Sequence, residues 1–214
     1  MCSSDLEATG LRVSITAKRI AAITALGRYS RAVSSKPVLE KLTVAKNRVG
    51  QWRINSLPDG LLLGQSEVDR SYRAWAVYYV DPSHTHVVAD SVTLPAAAKG
   101  VPTMLVQALL STPAPELAAG VVSGFPAGTA LTYGSVPVVG GIAQVDLTAD
   151  ALLADRPSRR AMAAQLTWTL QQLPSISGVR LTVSGQQLTV PGTGVVSDTQ
   201  DWSSYSPEIG RAHV

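Results

Sequence analysis

The side chains best suited to chemistry that stand closest together are Asp81, His84 and His86, in the run Asp81-Pro82-Ser83-His84-Thr85-His86. A His-x-His pair on an extended segment points both imidazoles to one side, as two metal ligands require. The set lacks a third firm ligand and falls where the chain bends between two strand-like runs. Solvated turn histidines account for it, and no bound metal is expected. Gly120-Val121-Val122-Ser123-Gly124 is one residue out of register for the turn that exposes a nucleophilic serine, and neither histidine has an evident acidic partner. Asp146, Asp150 and Asp155 have the types for acid–base pairing, but strand-edge and helix-cap roles explain them more simply. Gly192-Thr193-Gly194 is too short for a phosphate loop and opens no helix. The expectation is a chain that is not an enzyme, with no catalytic residue and no cofactor.

One cluster remains. Arg156, Arg159 and Arg160 crowd the first turn of an expected helix, where the macrodipole disfavours cations. A solvated face is the plain reading. The sharper reading is a contact for an acidic partner or for anionic lipid headgroups.

The elements that position these residues follow from hydrophobic period. Val13, Ile15 and Ala17 alternate with polar residues, as do Leu42 and Val44, and Gln51-Trp52-Arg53-Ile54 begins a further strand. These suggest an antiparallel meander over residues 7–63, closed by Leu57-Pro58-Asp59-Gly60. Residues 64–72 read as a connector. Ala74 to Val80 is an apolar, aromatic strand stopped by Asp81-Pro82, with residues 87–92 returning as a hairpin. Val101, Met104, Leu105, Ala108 and Leu109 have helical spacing. Residues 130–133 and 143–147 are strand candidates. Asp155 and Pro157 open a second helix whose face carries Met162, Leu166, Leu170 and Leu173, with Trp168 on its flank. Val179, Leu181 and Val183 alternate again, and residues 188–190 can return. Residues 191–208, rich in Gly, Ser and Asp, read as a linker. On this pattern residues 70–191 hold two helices and enough strands for a closed core, whereas residues 7–63 offer strands with no helix to cover them.

Composition narrows the class. The 214 residues are 45% hydrophobic and 15% charged, the opposite of a disordered chain. A net charge of +3, spread evenly, gives no basic face for nucleic acid. Residues 117–145 carry no charge, yet six glycines and two prolines exclude a spanning helix there. The ends are unusual: residues 1–6 and 209–214 are what two reverse-complementary strings of a common sequencing adapter encode. They are expected to be read-through, and Cys2, the sole cysteine, lies inside the first.

Several motifs resemble those of GerMN domains. They are Val77-Tyr78-Tyr79-Val80-Asp81-Pro82, Leu109-Leu110-Ser111-Thr112-Pro113, Phe125-Pro126-Ala127-Gly128-Thr129, Val145-Asp146-Leu147-Thr148 and Gln165-Leu166-Thr167-Trp168-Thr169-Leu170. Gly50-Gln51-Trp52-Arg53-Ile54, followed by Leu57-Pro58-Asp59-Gly60-Leu61-Leu62-Leu63, is similar to the segment just ahead of that domain in LpqB-type actinobacterial lipoproteins. The resemblance implies an α+β fold: a partial antiparallel sheet from an N-terminal domain (7–63), then a GerMN domain (73–190) with two helices on a small sheet. It implies a linker (191–208) toward a β-propeller, and a parent protein held to the cell membrane from outside by a lipid anchor. It further implies a protein partner, the extracytoplasmic part of a sensor histidine kinase, or self-association of a ring-building module.

Overall fold

The computed structural model describes residues 11–32, 37–56, 59–97 and 99–207; the expected adapter-derived ends, 1–6 and 209–214, lie outside the described residues. Two compact units divide the chain. One comprises Met1–Ala22 with Ser30–Val68, the other Ile23–Tyr29 with Asp69–Val214.

In the first unit, β1 (Leu11–Lys18) leads to a two-stranded ribbon, β2 (Ala21–Ile23) and β3 (Tyr29–Arg31), whose tip is counted with the second unit. β4 (Pro37–Lys46) and β5 (Trp52–Ser56) complete an antiparallel sheet in the order β1-β4-β5. Register pairs Leu11 with Val44, Val13 with Leu42, and Val44 with Ile54. Paired residues share a face, so these side chains and Ile15 form one largely apolar face, interrupted by Glu40 opposite Ile15. None of the described residues of this unit is buried.

α1 (Gln65–Ser71) occupies the expected connector. Its first turn hangs from the Gly64 carbonyl, which accepts the Glu67 and Val68 N–H groups at 3.0 and 3.1 Å. Glu67 near its start and Arg70 near its end complement the macrodipole.

In the second unit, β6 (Tyr72–Val80) and β7 (Val87–Pro95) form a nine-residue antiparallel hairpin. α2 (Val101–Leu109) carries its proline at the tolerated first turn and buries Val101, Leu105, Val106, Ala108 and Leu109. β8 (Val138–Val139) and β9 (Ile142–Leu147) form a short hairpin. A 3-10 turn (Ala149–Leu153) then leads into α3 (Arg156–Leu170) and on to β10 (Gly178–Val183), which runs parallel to β9. β9–α3–β10 is thus a crossover unit, the connection that parallel strands need. β11 (Gln186–Gln187) and β12 (Val196–Ser197) both pair with β10. Of the strand expected at residues 130–133, one bridge forms, Leu131 to Leu147. Residues 188–190 do not return as a strand, although Leu188 and Val190 are buried.

Helix α3 is buried around most of its circumference. Asp155 caps it, accepting the Ser158 N–H at 2.9 Å. Met162, Leu166, Leu170 and Leu173 enter the core as their spacing predicts. Its polar residues meet the free edge of β6. Gln165 donates to the Tyr78 carbonyl at 2.9 Å, Thr169 accepts the Tyr78 N–H at 3.1 Å, and Gln172 both accepts from and donates to the Ala76 backbone, at 3.0 and 2.6 Å. Three side chains at i, i+4 and i+7 thereby replace a neighbouring strand, leaving that stretch of buried edge satisfied. Gln165 also accepts the Gly124 N–H at 2.7 Å. Only glycine fits at that point, since a Cβ would meet Ala161 Cβ at 2.7 Å and the Ser158 carbonyl at 2.8 Å.

Two segments join this core from outside the expected limits. Thr93 donates its N–H to the Gly27 carbonyl at 2.7 Å. Arg28 pairs with Asp90, which is 4% exposed, and also donates to the Thr112 carbonyl at 2.7 Å. Residues 191–207, read from sequence as a linker, are packed: Trp202 and Tyr205 are buried, their rings edge to face at 5.9 Å. The reason is a run of specific partners. Thr167 bonds Ser197 at 3.1 Å, Thr199 donates its N–H to Gln171 at 3.0 Å, and Trp168 donates to the Trp202 carbonyl at 3.4 Å.

Candidate functional site

The three arginines of the α3 first turn separate into three roles. Arg159 reaches back, donating to the Ala154 and Leu152 carbonyls at 3.0 and 3.2 Å, and clamps the preceding 3-10 turn. Arg160 donates to the Pro191 carbonyl at 2.8 Å, its guanidinium 5.4 Å from the centre of the Trp202 ring. Arg156 is exposed and makes neither an ion pair nor a side-chain hydrogen bond among the described residues. Sequence placed the three together. At i, i+3 and i+4 they share one side of the helix; what sequence could not show is which backbone carbonyls lie within reach of Arg159 and of Arg160. The same corner carries what sequence reasoning missed: Leu152 and Leu153 are 52% and 78% exposed. The signal for them was the apolar pair itself, standing between a strand end and a helix cap.

The Asp81 cluster is a turn fastener. Its carboxylate accepts the Thr85 and His86 N–H groups, each at 2.7 Å, the Ser83 N–H at 3.2 Å and the Ser83 hydroxyl. Burial pushes the carboxyl pKa up, but these hydrogen bonds together outweigh it and hold the group well below the ordinary range. His84 takes a left-handed φ of 55°, and His86 Nδ1 sits 2.9 Å from the Thr85 hydroxyl. No group of three or more potential metal-ligating side chains forms among the described residues.

Asp146 fastens two parallel strands, accepting the Thr182 hydroxyl at 2.5 Å and the Gly185 N–H at 2.8 Å. Burial raises its pKa, and the hydrogen bonds prevail to lower it. Asp150 accepts the Thr148 hydroxyl at 3.1 Å, and Asp155 is the helix cap. Ser123 donates to no base among the described residues; its oxygen accepts the Phe125 N–H at 3.2 Å.

Comparison with known proteins places this geometry. Residues 76–189 match the family model Germane, described as sporulation and spore germination. The chain belongs to the Germane family. Ahead of that domain, residues 3–69 match the model of the lipoprotein LpqB N-terminal domain. Together the two matches identify an LpqB-type lipoprotein chain. Lipoprotein LpqB of Thermobifida fusca is 38% identical over 166 residues, covering 74% of this chain and 26% of the relative. Lipoprotein LpqB of Streptomyces coelicolor is 34% identical over 199 residues, covering 85% of this chain and 32% of the relative. The chain thus spans about a quarter to a third of the length of these curated relatives. Among solved structures, the tandem GerMN domains of the sporulation protein GerM from Bacillus subtilis align with a TM-score of 0.49 at 22% identity, over 61% of this chain and 48% of that one. None of these names denotes an enzyme family. Among the described residues no helix is long and apolar enough to cross a membrane.

Proposed function

We propose that this chain is a non-enzymatic module of an envelope lipoprotein, held to the outer side of the cell membrane through a lipid anchor on the parent protein. Its task is to bind or modulate the extracytoplasmic part of a sensor histidine kinase, in signalling tied to the cell envelope and division. The observation that supports the reading is the succession of an LpqB-type N-terminal segment and a Germane domain in one chain whose curated relatives are lipoproteins. The acids best suited to chemistry are engaged in holding turns, strands and a helix start, which favours a rigid binding surface over a reaction centre. The test is a titration of the full chain against the purified extracytoplasmic domain of a sensor kinase from the same genome, read by interferometry. Saturable binding is expected, and its absence would refute the kinase reading.

A second reading, self-association, is favoured by the apolar face of β1-β4-β5, where Leu11 and Ile54 are 56% and 60% exposed. Light scattering after size exclusion separates the two. A defined oligomer that dissociates when Ile54 is replaced by Lys would support self-association.

A further inference from the structure

We propose that the cleft on the outer face of β9 and β10, beside the turn at Tyr133, binds a neutral saccharide, the Tyr133 ring stacking on the apolar C–H face of one sugar unit while Gln144 and Asp146 accept hydrogen bonds from its hydroxyl groups. The inference stands apart from the kinase reading: it adds a ligand to the Germane unit and needs no partner protein.

Strand alternation builds the floor. Ala143, Val145 and Leu147 of β9 and Leu181 and Val183 of β10 enter the core, so Gln144, Asp146 and Thr182 face the other way. Parallel register sets Asp146 beside Thr182 and Gln144 beside Arg180. The segment carrying Tyr133, Ser135 and Pro137 makes one wall. It is held by the Thr132 N–H on the Asp146 carbonyl at 2.9 Å and by the Gln144 N–H on the Pro137 carbonyl at 2.8 Å. The cavity they line has a volume of about 420 Å³, a size usual for small-ligand sites.

Two of its features have no role in the fold. Tyr133, 78% exposed, is the most exposed aromatic ring among the described residues. Asp146 Oδ1 takes the Thr182 hydroxyl and the Gly185 N–H, but Oδ2 is buried with no hydrogen bond among the described residues. The Thr132 hydroxyl lies near the carboxylate without completing one. A buried acceptor at the floor of a cavity calls for a donor. Charge then narrows the ligand. Asp146 is the one charged residue lining the cavity among the described residues, which disfavours anions. Arg180, exposed on the same strand face beside Gln144, offsets it and disfavours cations. An apolar ligand would leave the floor acceptors without donors. A neutral sugar satisfies both features, since its hydroxyls donate to the floor and its weakly positive C–H groups suit the negative face of an aromatic ring.

The experiment is calorimetric titration of the full chain with triacetylchitotriose, cellotriose, maltotriose and mannotriose, and with a decaproline peptide. The titrations are repeated on Y133A, Y133F and Q144A. Tyr133 is exposed and Gln144 lies on the outer strand face, so each variant should keep the parental thermal melt. At least one sugar should bind saturably and shift the nitrogen-15 amide signals of Gly134 and Gly185. Y133F should bind as the parent does, Y133A should bind about tenfold more weakly, and Q144A should also be weakened. Binding of none of the four sugars would overturn the proposal, as would binding that Y133A leaves unchanged or amide shifts confined to other parts of the chain. Binding of decaproline in place of the sugars would make the cleft a site for extended peptide and overturn it too. The titration contains no kinase domain, so its outcome and that of the kinase test fail separately.

Discussion

Replacing Trp202 by Ala tests whether residues 191–207 belong to the folded Germane unit. The indole is fully buried, stacked edge to face with Tyr205 at 5.9 Å, and covered by the Arg160 guanidinium at 5.4 Å. Truncating a buried tryptophan costs about 3–5 kcal/mol. Domains of this size have total stabilities of about 5–15 kcal/mol, so the loss is a large fraction of the whole. At about 2–4 °C per kcal/mol, the melting temperature should fall by roughly 6–20 °C.

The assay is a urea titration of the full chain, followed by circular dichroism at the helix signal and by near-ultraviolet signal for aromatic packing. Trp202→Phe is the companion variant. The indole N–H has no partner among the described residues, so phenylalanine discards nothing hydrogen-bonded and should restore most of the loss. Ending the chain after Val190 should cost at least as much as W202A, because it also removes β12 and the Thr199 bond to Gln171. A W202A variant within about 0.5 kcal/mol of the parent would refute the reasoning, since surface changes fall in that range. The segment would then be a linker after all.

Arg28→Ala should cost about 3 kcal/mol, because among the described residues it leaves the buried Asp90 carboxylate with only the Ala114 N–H at 2.9 Å. Arg28→Ala with Asp90→Asn should recover part of that, and a coupling near zero in the double-mutant cycle would contradict the pair. Gln165→Leu keeps the size but strands the Gly124 N–H and the Tyr78 carbonyl, for about 2–4 kcal/mol; hydrogen exchange at Gly124 should quicken, and unchanged protection would count against the bond. Asp81 titrates below the ordinary carboxylate range when folded, so its stabilising contribution is complete above about pH 5 and fades as pH falls through about 4 toward 2. Asp81→Asn should therefore destabilise the chain more at neutral pH than at pH about 3, and an equal urea-midpoint shift at both would rule this out.

Sequence made the core legible wherever an element's own period decided its burial. The α3 face of Met162, Leu166 and Leu170, the β6–β7 hairpin and the Asp155 cap are as the pattern predicts. What stayed hidden depended on partners distant in the chain. The alternation of β9 and β10 says each is a strand, but not that they lie parallel to one another. α1 has seven residues and buries none, so no apolar stripe announces it. Trp202 and Tyr205 were visible in the Gly- and Ser-rich tail, and aromatic residues are uncommon in disordered segments. Composition outweighed them in the linker reading, and only the packed tail shows that they were the better guide.

The family string Gln165-Leu166-Thr167-Trp168-Thr169-Leu170 has a physical meaning that bears on how the domain can associate. Leu166 and Leu170 fill the core, while Gln165 and Thr169 bond the edge of β6. β10 is flanked by β9 on one side and by β11 and β12 on the other. On β7, the Gly27 carbonyl takes the Thr93 N–H. The edges of β6 and β10 are thus closed by helix side chains and short strands, which blunts strand addition there, whereas β7 makes a single backbone bond, to the Gly27 carbonyl, on its outer edge among the described residues. Along the closed edges, contacts of this unit must then run through exposed side chains, Leu152, Leu153 and Tyr133 among them. The three-stranded sheet of the first unit is different in kind. Its exposed face is largely apolar, with Glu40 its one acid among the described residues, so any strongly hydrophobic association of the chain should map there, and substitutions at Ile54 and at Leu153 should alter different properties.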